Sequence, residues 1–134
     1  MDEAVGSEIG ARRRQVEVVT FWSLTVLGAV VMCGAWLWLG LASTEQVTES
    51  AKAPPGDTST EGLFVIFGVV PLVIVHLLGL AILQWTAPRA RGDRGARWIM
   101  AAAAVLVASA VGLAVAMQVN GGVLLAPDVG GYAP

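Results

Sequence analysis

His76 is the one ionisable side chain inside the long apolar segments of this 134-residue sequence, so it is the first candidate for chemistry. An imidazole in so apolar a segment can hydrogen-bond a neighbouring element, ligate a haem iron, or contact a quinone or a proton path. We favour the hydrogen-bonded structural role, with Ser109 as the partner because it lies at the matching depth of another apolar segment. The cofactor-binding alternative, haem or quinone at His76, stays open at this stage.

The rest of the composition offers little material for catalysis. Hydrophobic residues make up 56% of the chain and charged residues 13%, whereas soluble domains carry about 25% charge. A single cysteine, Cys33, excludes an internal disulfide framework and a cysteine-based zinc site. One histidine without an acid in the same apolar environment cannot form a general acid–base pair. We therefore expect no catalytic residues, no metal site and no required cofactor, and a net charge of −2 gives no reason to expect nucleic-acid binding.

Three uncharged segments of 27, 27 and 30 residues make up most of the chain, at 18–44, 62–88 and 98–127. A transmembrane helix needs about 20 apolar residues. The segments lack the period-two alternation of strands, and three strands could not close a barrel in lipid. The sequence predicts an all-α integral membrane protein whose three transmembrane helices span residues 20–42, 63–86 and 98–119. His76 then lies almost at the centre of the second helix.

The basic residues are concentrated in segments that would lie on one side of the membrane. Seven of the eight lie before the first helix or between the second and third: Arg12, Arg13, Arg14, Arg89, Arg91, Arg94 and Arg97. The positive-inside rule therefore places the N-terminus in the cytoplasm and the C-terminus outside a prokaryotic cytoplasmic membrane. The connecting segments are predicted as a frayed cytoplasmic tail (1–19), an extended external Ser/Thr/Pro-rich loop (43–62), a short basic cytoplasmic loop (87–97) and an external coil (120–134).

The tryptophans agree with these boundaries, since all five fall near the predicted helix ends, where an indole ring prefers the membrane interface.

The first helix could instead be a cleaved signal peptide. Its apolar stretch is longer than the 7–15 residues of a signal core and carries three tryptophans, so we expect a retained helix.

Small residues predict how the helices pack. Gly68 and Gly79 are eleven residues apart, and so lie on nearly the same face of the second helix. The third helix has a small residue at every fourth position: Ala104, Ala108, Gly112 and Ala116. Such a ladder lets two helix backbones approach closely in lipid. We expect the third helix to pack tightly, against the second.

Pro71 lies inside the second predicted helix. It lacks an N–H and its ring collides with the carbonyl of Phe67, four residues earlier, so a kink is expected. We interpret this kink as structural.

The run Val70–Leu78, with its Val75-His76-Leu77 triplet, precedes a short basic loop and a third helix that begins at Trp98. This half of the chain, roughly residues 62–120, resembles the small subunit IV of bacterial haem-copper terminal oxidases. That family usually has a glutamine where this chain has Leu72, and a later histidine–methionine pair where it has 82–85. The subunit is non-catalytic, binds no metal and supports assembly of the large subunit. The resemblance therefore implies an accessory or assembly subunit of a larger membrane complex, such as a respiratory oxidase.

Two other functions stay open. One is a haem- or quinone-binding anchor similar to the three-helix anchors of succinate dehydrogenase, with His76 in the second helix, although their quinone-site Arg and Asp have no counterpart here. The other is a small transporter or holin-like pore former, which would have to be a homo-oligomer because no helix carries a polar stripe. The expected partners are the lipid bilayer and either other membrane subunits or further copies of this chain.

Overall fold

The computed structural model describes the backbone of residues 2–54, 62–87 and 94–126, and the side chains from residue 8 onward in these ranges. Helix α1 spans Asp2–Lys52, a π-helical turn at Val65–Val69 leads directly into α2 at Val70–Thr86, and α3 spans Arg94–Val119. All regular structure in the described ranges is helical, which confirms the all-α prediction. Three helices are long and apolar enough to cross a membrane. The predicted orientation stays a prediction.

Helix α1 is far longer than the predicted 20–42. Its 51 residues extend over about 76 Å, whereas the uncharged segment 18–44 covers about 40 Å. The prediction of irregular structure was therefore wrong for residues 2–19 and 43–52. No proline precedes Pro54, and the polar flanks contain helix-stabilising pairs, Arg13–Glu17 at 3.8 Å and Lys52–Glu49 at 2.7 Å. Residues 55–61 and 88–93, which include Arg89 and Arg91, lie outside the described residues.

The last turns of α1 hold the start of the second helical segment. The side-chain carbonyl Oε1 of Gln46 accepts a hydrogen bond of 2.7 Å from the backbone N–H of Phe64. This satisfies one of the donors that a helix start leaves free. One turn on, the hydrogen bond to Glu49, together with its negative charge, raises the pKa of Lys52.

Helix α3 contacts both other helices, but its more extensive contact is with α1, whereas α2 was the predicted partner. At Gly112, an added Cβ atom would lie 2.9 Å from both the carbonyl carbon and the oxygen of Met32. The backbones of α1 and α3 therefore meet where Gly112 has no side chain. The most buried positions of this face are Ala101, Val105, Ala108, Gly112 and Ala116, whereas Ala104 is half-buried.

The glycines of the second segment also face α1. A Cβ atom at Gly68 would lie 3.0 Å from Leu39 Cδ1 and 3.2 Å from Ala42 Cβ. One at Gly79 would make ordinary contacts, at 3.6 Å from Met32 Cε. The periodicity identified the correct faces of the helices. It could not identify which helix each face contacts, because every helix in a three-helix bundle has two neighbouring helices.

The chain after α3 turns back onto α1. Gly121 and Gly122 adopt positive φ angles of 66° and 90°, and the N–H of Gly122 bonds the carbonyl of Met117 at 2.7 Å. Ala126 N–H then donates to Ser43 Oγ at 2.9 Å. Residues 120–126 are irregular, as predicted, but they are attached to α1. Residues 127–134 lie outside the described residues.

Candidate functional site

Three polar side chains, one from each helix, form a continuous hydrogen-bond chain in the apolar part of the molecule. Trp36 Nε1 donates to Ser109 Oγ at 3.1 Å. Ser109 Oγ lies 2.7 Å from His76 Nε2, and His76 Nδ1 lies 2.8 Å from the carbonyl oxygen of Leu72. The structure thus contains the His76–Ser109 pair expected from their matching depths, and it adds Trp36 to that pair.

The direction of this hydrogen-bond chain follows from its two ends. A backbone carbonyl can only accept, so His76 Nδ1 carries a proton and donates it to Leu72. In a neutral imidazole the other nitrogen is then an acceptor, and Ser109 donates its hydroxyl hydrogen to Nε2. Ser109 can in turn accept from the indole N–H, which only donates. Every N–H and O–H hydrogen of the three side chains is used within the protein, which is what a polar group in an apolar environment requires.

Packing holds the three side chains in this geometry. The rings of Trp36 and His76 meet edge to face, with centroids 6.3 Å apart and planes at 89°. Trp36 also occupies the space left by Gly112, where a Cβ atom would lie 2.9 Å from Trp36 Cδ1. Trp36, which we expected to face the membrane interface, packs its ring among all three helices.

This geometry limits the chemistry available to His76. Ligation of haem uses a ring nitrogen lone pair. With Nδ1 donating to Leu72, that nitrogen is Nε2, which already accepts from Ser109. A haem iron could bind there only after the Ser109 hydroxyl had moved away. A quinone oxygen accepts hydrogen bonds and would need the Nδ1 N–H, which already donates to Leu72. Within residues 8–54, 62–87 and 94–126, no group of three or more His, Cys, Asp or Glu residues could hold a metal ion.

A second indole compensates for Pro71. The carbonyl of Phe67 cannot receive its usual helical bond from residue 71, because proline has no N–H. Trp38 Nε1 donates to this oxygen at 2.6 Å. The π-helical turn Val65–Val69 precedes the proline and ends where Val70 N–H bonds the carbonyl of Val65. Sequence reasoning missed the role of Trp38. Two sequence features could have predicted it. A proline leaves the carbonyl four residues before it without a donor, and a tryptophan on a neighbouring helix can supply one.

We expect the replacement Trp38→Phe to lower the free energy of unfolding by about 1 kcal/mol in the native sequence, because it leaves the Phe67 carbonyl without its donor. In a Pro71→Ala background the backbone N–H of residue 71 can serve that carbonyl, so the same replacement is expected to cost much less. Unfolding in mixed detergent micelles measures both differences. Equal costs in the two backgrounds would contradict the link between Trp38 and Pro71.

Comparison with known proteins gives no family for this chain: no family model, no curated protein and no solved structure matches it. The resemblance to the oxidase subunit therefore stays a prediction. The function proposed below is argued from the residues and their geometry.

Proposed function

We propose that this chain is a small non-catalytic membrane subunit that supports the assembly of a larger complex, with a respiratory oxidase as the leading candidate, in a prokaryotic cytoplasmic membrane. The observation that supports it most is the length of α1 beyond the other helices. Residues 8–16 of α1 are exposed on every side, including Ile9 at 65% and Val16 at 59%. These two side chains are seven residues apart and so share one face of the helix.

The outer surface of the helices supports the same proposal. In α2, 11% of the residues in the most apolar stretch are buried within the chain. The exposed side chains, such as Ile74 and Leu77, form an apolar surface that neighbouring membrane helices or lipid must cover. The polar groups of Trp36, Ser109 and His76 form hydrogen bonds with one another rather than facing the outer surface. This arrangement suits a rigid structural subunit whose contacts with partners are apolar.

Blue-native electrophoresis of the tagged chain, extracted from its native membrane in mild detergent, tests the proposal. We expect a complex much larger than the monomer. The double variant I9E/V16E should weaken it by placing two charges where Ile9 and Val16 now expose apolar side chains. The control A11E/Q15E adds the same charge to exposed positions on the opposite face and should leave the complex intact. The proposal would be contradicted if the wild type ran only as a monomer. It would also be contradicted if the two double variants formed the same amount of the large complex.

An optical spectrum separates this function from a haem-binding anchor. With His76 Nε2 occupied by Ser109, we expect the purified protein to show no Soret band. The replacement His76→Ala should lower the free energy of unfolding by about 1–2 kcal/mol without any spectral change. A Soret band in the wild type that disappears in His76→Ala would contradict the structural role and favour the anchor.

A further inference from the structure

An apolar groove of about 250 Å³ runs between α1 and α2, with α3 as its floor. Gly28 and Gly79 leave it open, since neither carries a side chain. Leu27 and Leu78 stand at its edges and are 58% and 57% exposed. The floor consists of the buried residues Val105 and Ala108.

The lining of the groove selects for an apolar occupant. All of its lining residues are described, and Thr25 is the only one with a polar side chain. The Thr25 hydroxyl donates to the carbonyl of Phe21 at 2.9 Å, so its hydrogen is already used. A polar ligand would therefore lose hydration without gaining a hydrogen-bond donor in return.

The dimensions of the groove select for a thin occupant. Between Leu24 and Met32 it extends about 12 Å along α1. Its volume of about 250 Å³ is spread along that length, so the groove is long and narrow. A helix with its side chains is about 10–12 Å across and cannot enter. A single hydrocarbon chain has the required shape.

Positive charge lies beyond one end of the groove. Arg97, Ala101, Val105 and Ala108 follow one another at helical spacing and share a face of α3. Val105 and Ala108 form the floor, so Arg97 lies on the same side of α3, about 12 Å from Val105 along the helix axis. Arg97 is half-buried and Arg94, three residues before it, is exposed. Basic residues at the membrane-facing ends of helices attract anionic lipid headgroups.

We propose that this groove binds one acyl chain of an anionic phospholipid, with the lipid phosphate close to Arg97. The lipid comes from the leaflet at the arginine-containing end of the helices. Its chain covers apolar surface that the three helices leave open, and its headgroup meets the charge of Arg97 and Arg94. This site goes beyond the proposed assembly function and does not depend on it.

Native mass spectrometry of the delipidated full-length protein tests the site, with dioleoyl phosphatidylglycerol and dioleoyl phosphatidylcholine as probes. Gly28→Leu fills the groove, and a Cβ atom at Gly28 meets nothing within 4 Å, so the added side chain starts in open space. Gly34→Leu is the matched control, because Gly34 is exposed on the same helix and its Cβ position is equally open. Arg97→Gln removes the charge, with Arg12→Gln as its control.

We expect the wild type and Gly34→Leu to retain one phosphatidylglycerol, bound about tenfold more tightly than phosphatidylcholine. Gly28→Leu should weaken both lipids about tenfold, because the acyl chain loses its groove. Arg97→Gln should abolish the preference for phosphatidylglycerol, whereas Arg12→Gln should keep it. Equal lipid binding by the two leucine variants, or no headgroup preference in the wild type, would overturn the proposal. So would a protein dimer that Gly28→Leu abolishes, since a second copy would then occupy the groove.

Discussion

Replacing Gly112 by alanine is expected to push α3 away from α1 and to lower the free energy of unfolding by about 1–3 kcal/mol. The added Cβ atom would lie 2.9 Å from the Met32 carbonyl carbon and oxygen, and 2.9 Å from Trp36 Cδ1. The first two are backbone atoms of a helix and cannot move alone. Relief of the collision therefore requires α1 and α3 to separate, which also removes the Trp36 indole from Ser109.

Gly34→Ala is the matched control for this variant. Both substitutions gain the same intrinsic helix propensity, about 1 kcal/mol for glycine to alanine. At Gly34 a Cβ atom meets nothing within 4 Å, so that gain is expected to appear as unchanged or increased stability. Titration with sodium dodecyl sulfate in mixed micelles, followed by circular dichroism, gives both values. A Gly112→Ala protein as stable as Gly34→Ala would contradict the close approach of α1 and α3.

Replacing Ser109 by alanine is expected to lower the free energy of unfolding by about 1–3 kcal/mol, because one hydroxyl serves two partners. The change leaves Trp36 Nε1 without an acceptor and His76 Nε2 without a donor. Hydrogen bonds between membrane helices contribute about 0.6 kcal/mol on average and up to about 1.7. Because two hydrogen bonds are lost at one residue, we expect Ser109→Ala to be among the most destabilising replacements of a polar side chain in this protein.

A double-mutant cycle separates the hydrogen bonds from other effects of the substitution. Trp36→Phe and Ser109→Ala both break the same bond, so their combined cost should be smaller than the sum by at least about 0.5 kcal/mol. The control is Ser23→Ala, because Ser23 is exposed on α1 and its replacement should change stability by less than about 0.5 kcal/mol. Additive costs for Trp36→Phe and Ser109→Ala would show that the hydrogen bond is not formed.

The apolar segments of the sequence predicted three long apolar helices, which the described residues contain. This was possible because a helix must be uncharged over a minimum length to cross lipid. The continuation of α1 through residues 2–19 and 43–52 was missed. Those residues contain the helix-stabilising pairs Arg13–Glu17 (i,i+4) and Glu49–Lys52 (i,i+3), but their polarity resembles that of a tail or loop. A hydropathy pattern marks where a helix is apolar, and the helix itself continues until a breaker such as Pro54.

The His76–Ser109 pair was predictable because two polar residues at equal depth in lipid have few other partners. The role of Trp36 was not predictable on the same grounds. An indole suits a membrane interface and a buried acceptor equally well, and only the close approach at Gly112 brings its ring towards Ser109. The groove at Gly28 and Gly79 likewise depends on how three helices diverge, which residue spacing alone does not specify.

Hydrogen bonds hold the imidazole of His76 between Ser109 and the Leu72 carbonyl, and the single histidine of the protein allows a direct test. Nitrogen NMR of protein labelled with ¹⁵N-histidine in lipid nanodiscs reports one ring. We predict a protonated Nδ1 and an unprotonated, hydrogen-bonded Nε2, whose signal shifts in Ser109→Ala and does not move when haem or a quinone is added. A proton on Nε2, or an Nε2 signal that responds to haem or quinone, would contradict the hydrogen bond from Ser109 to His76.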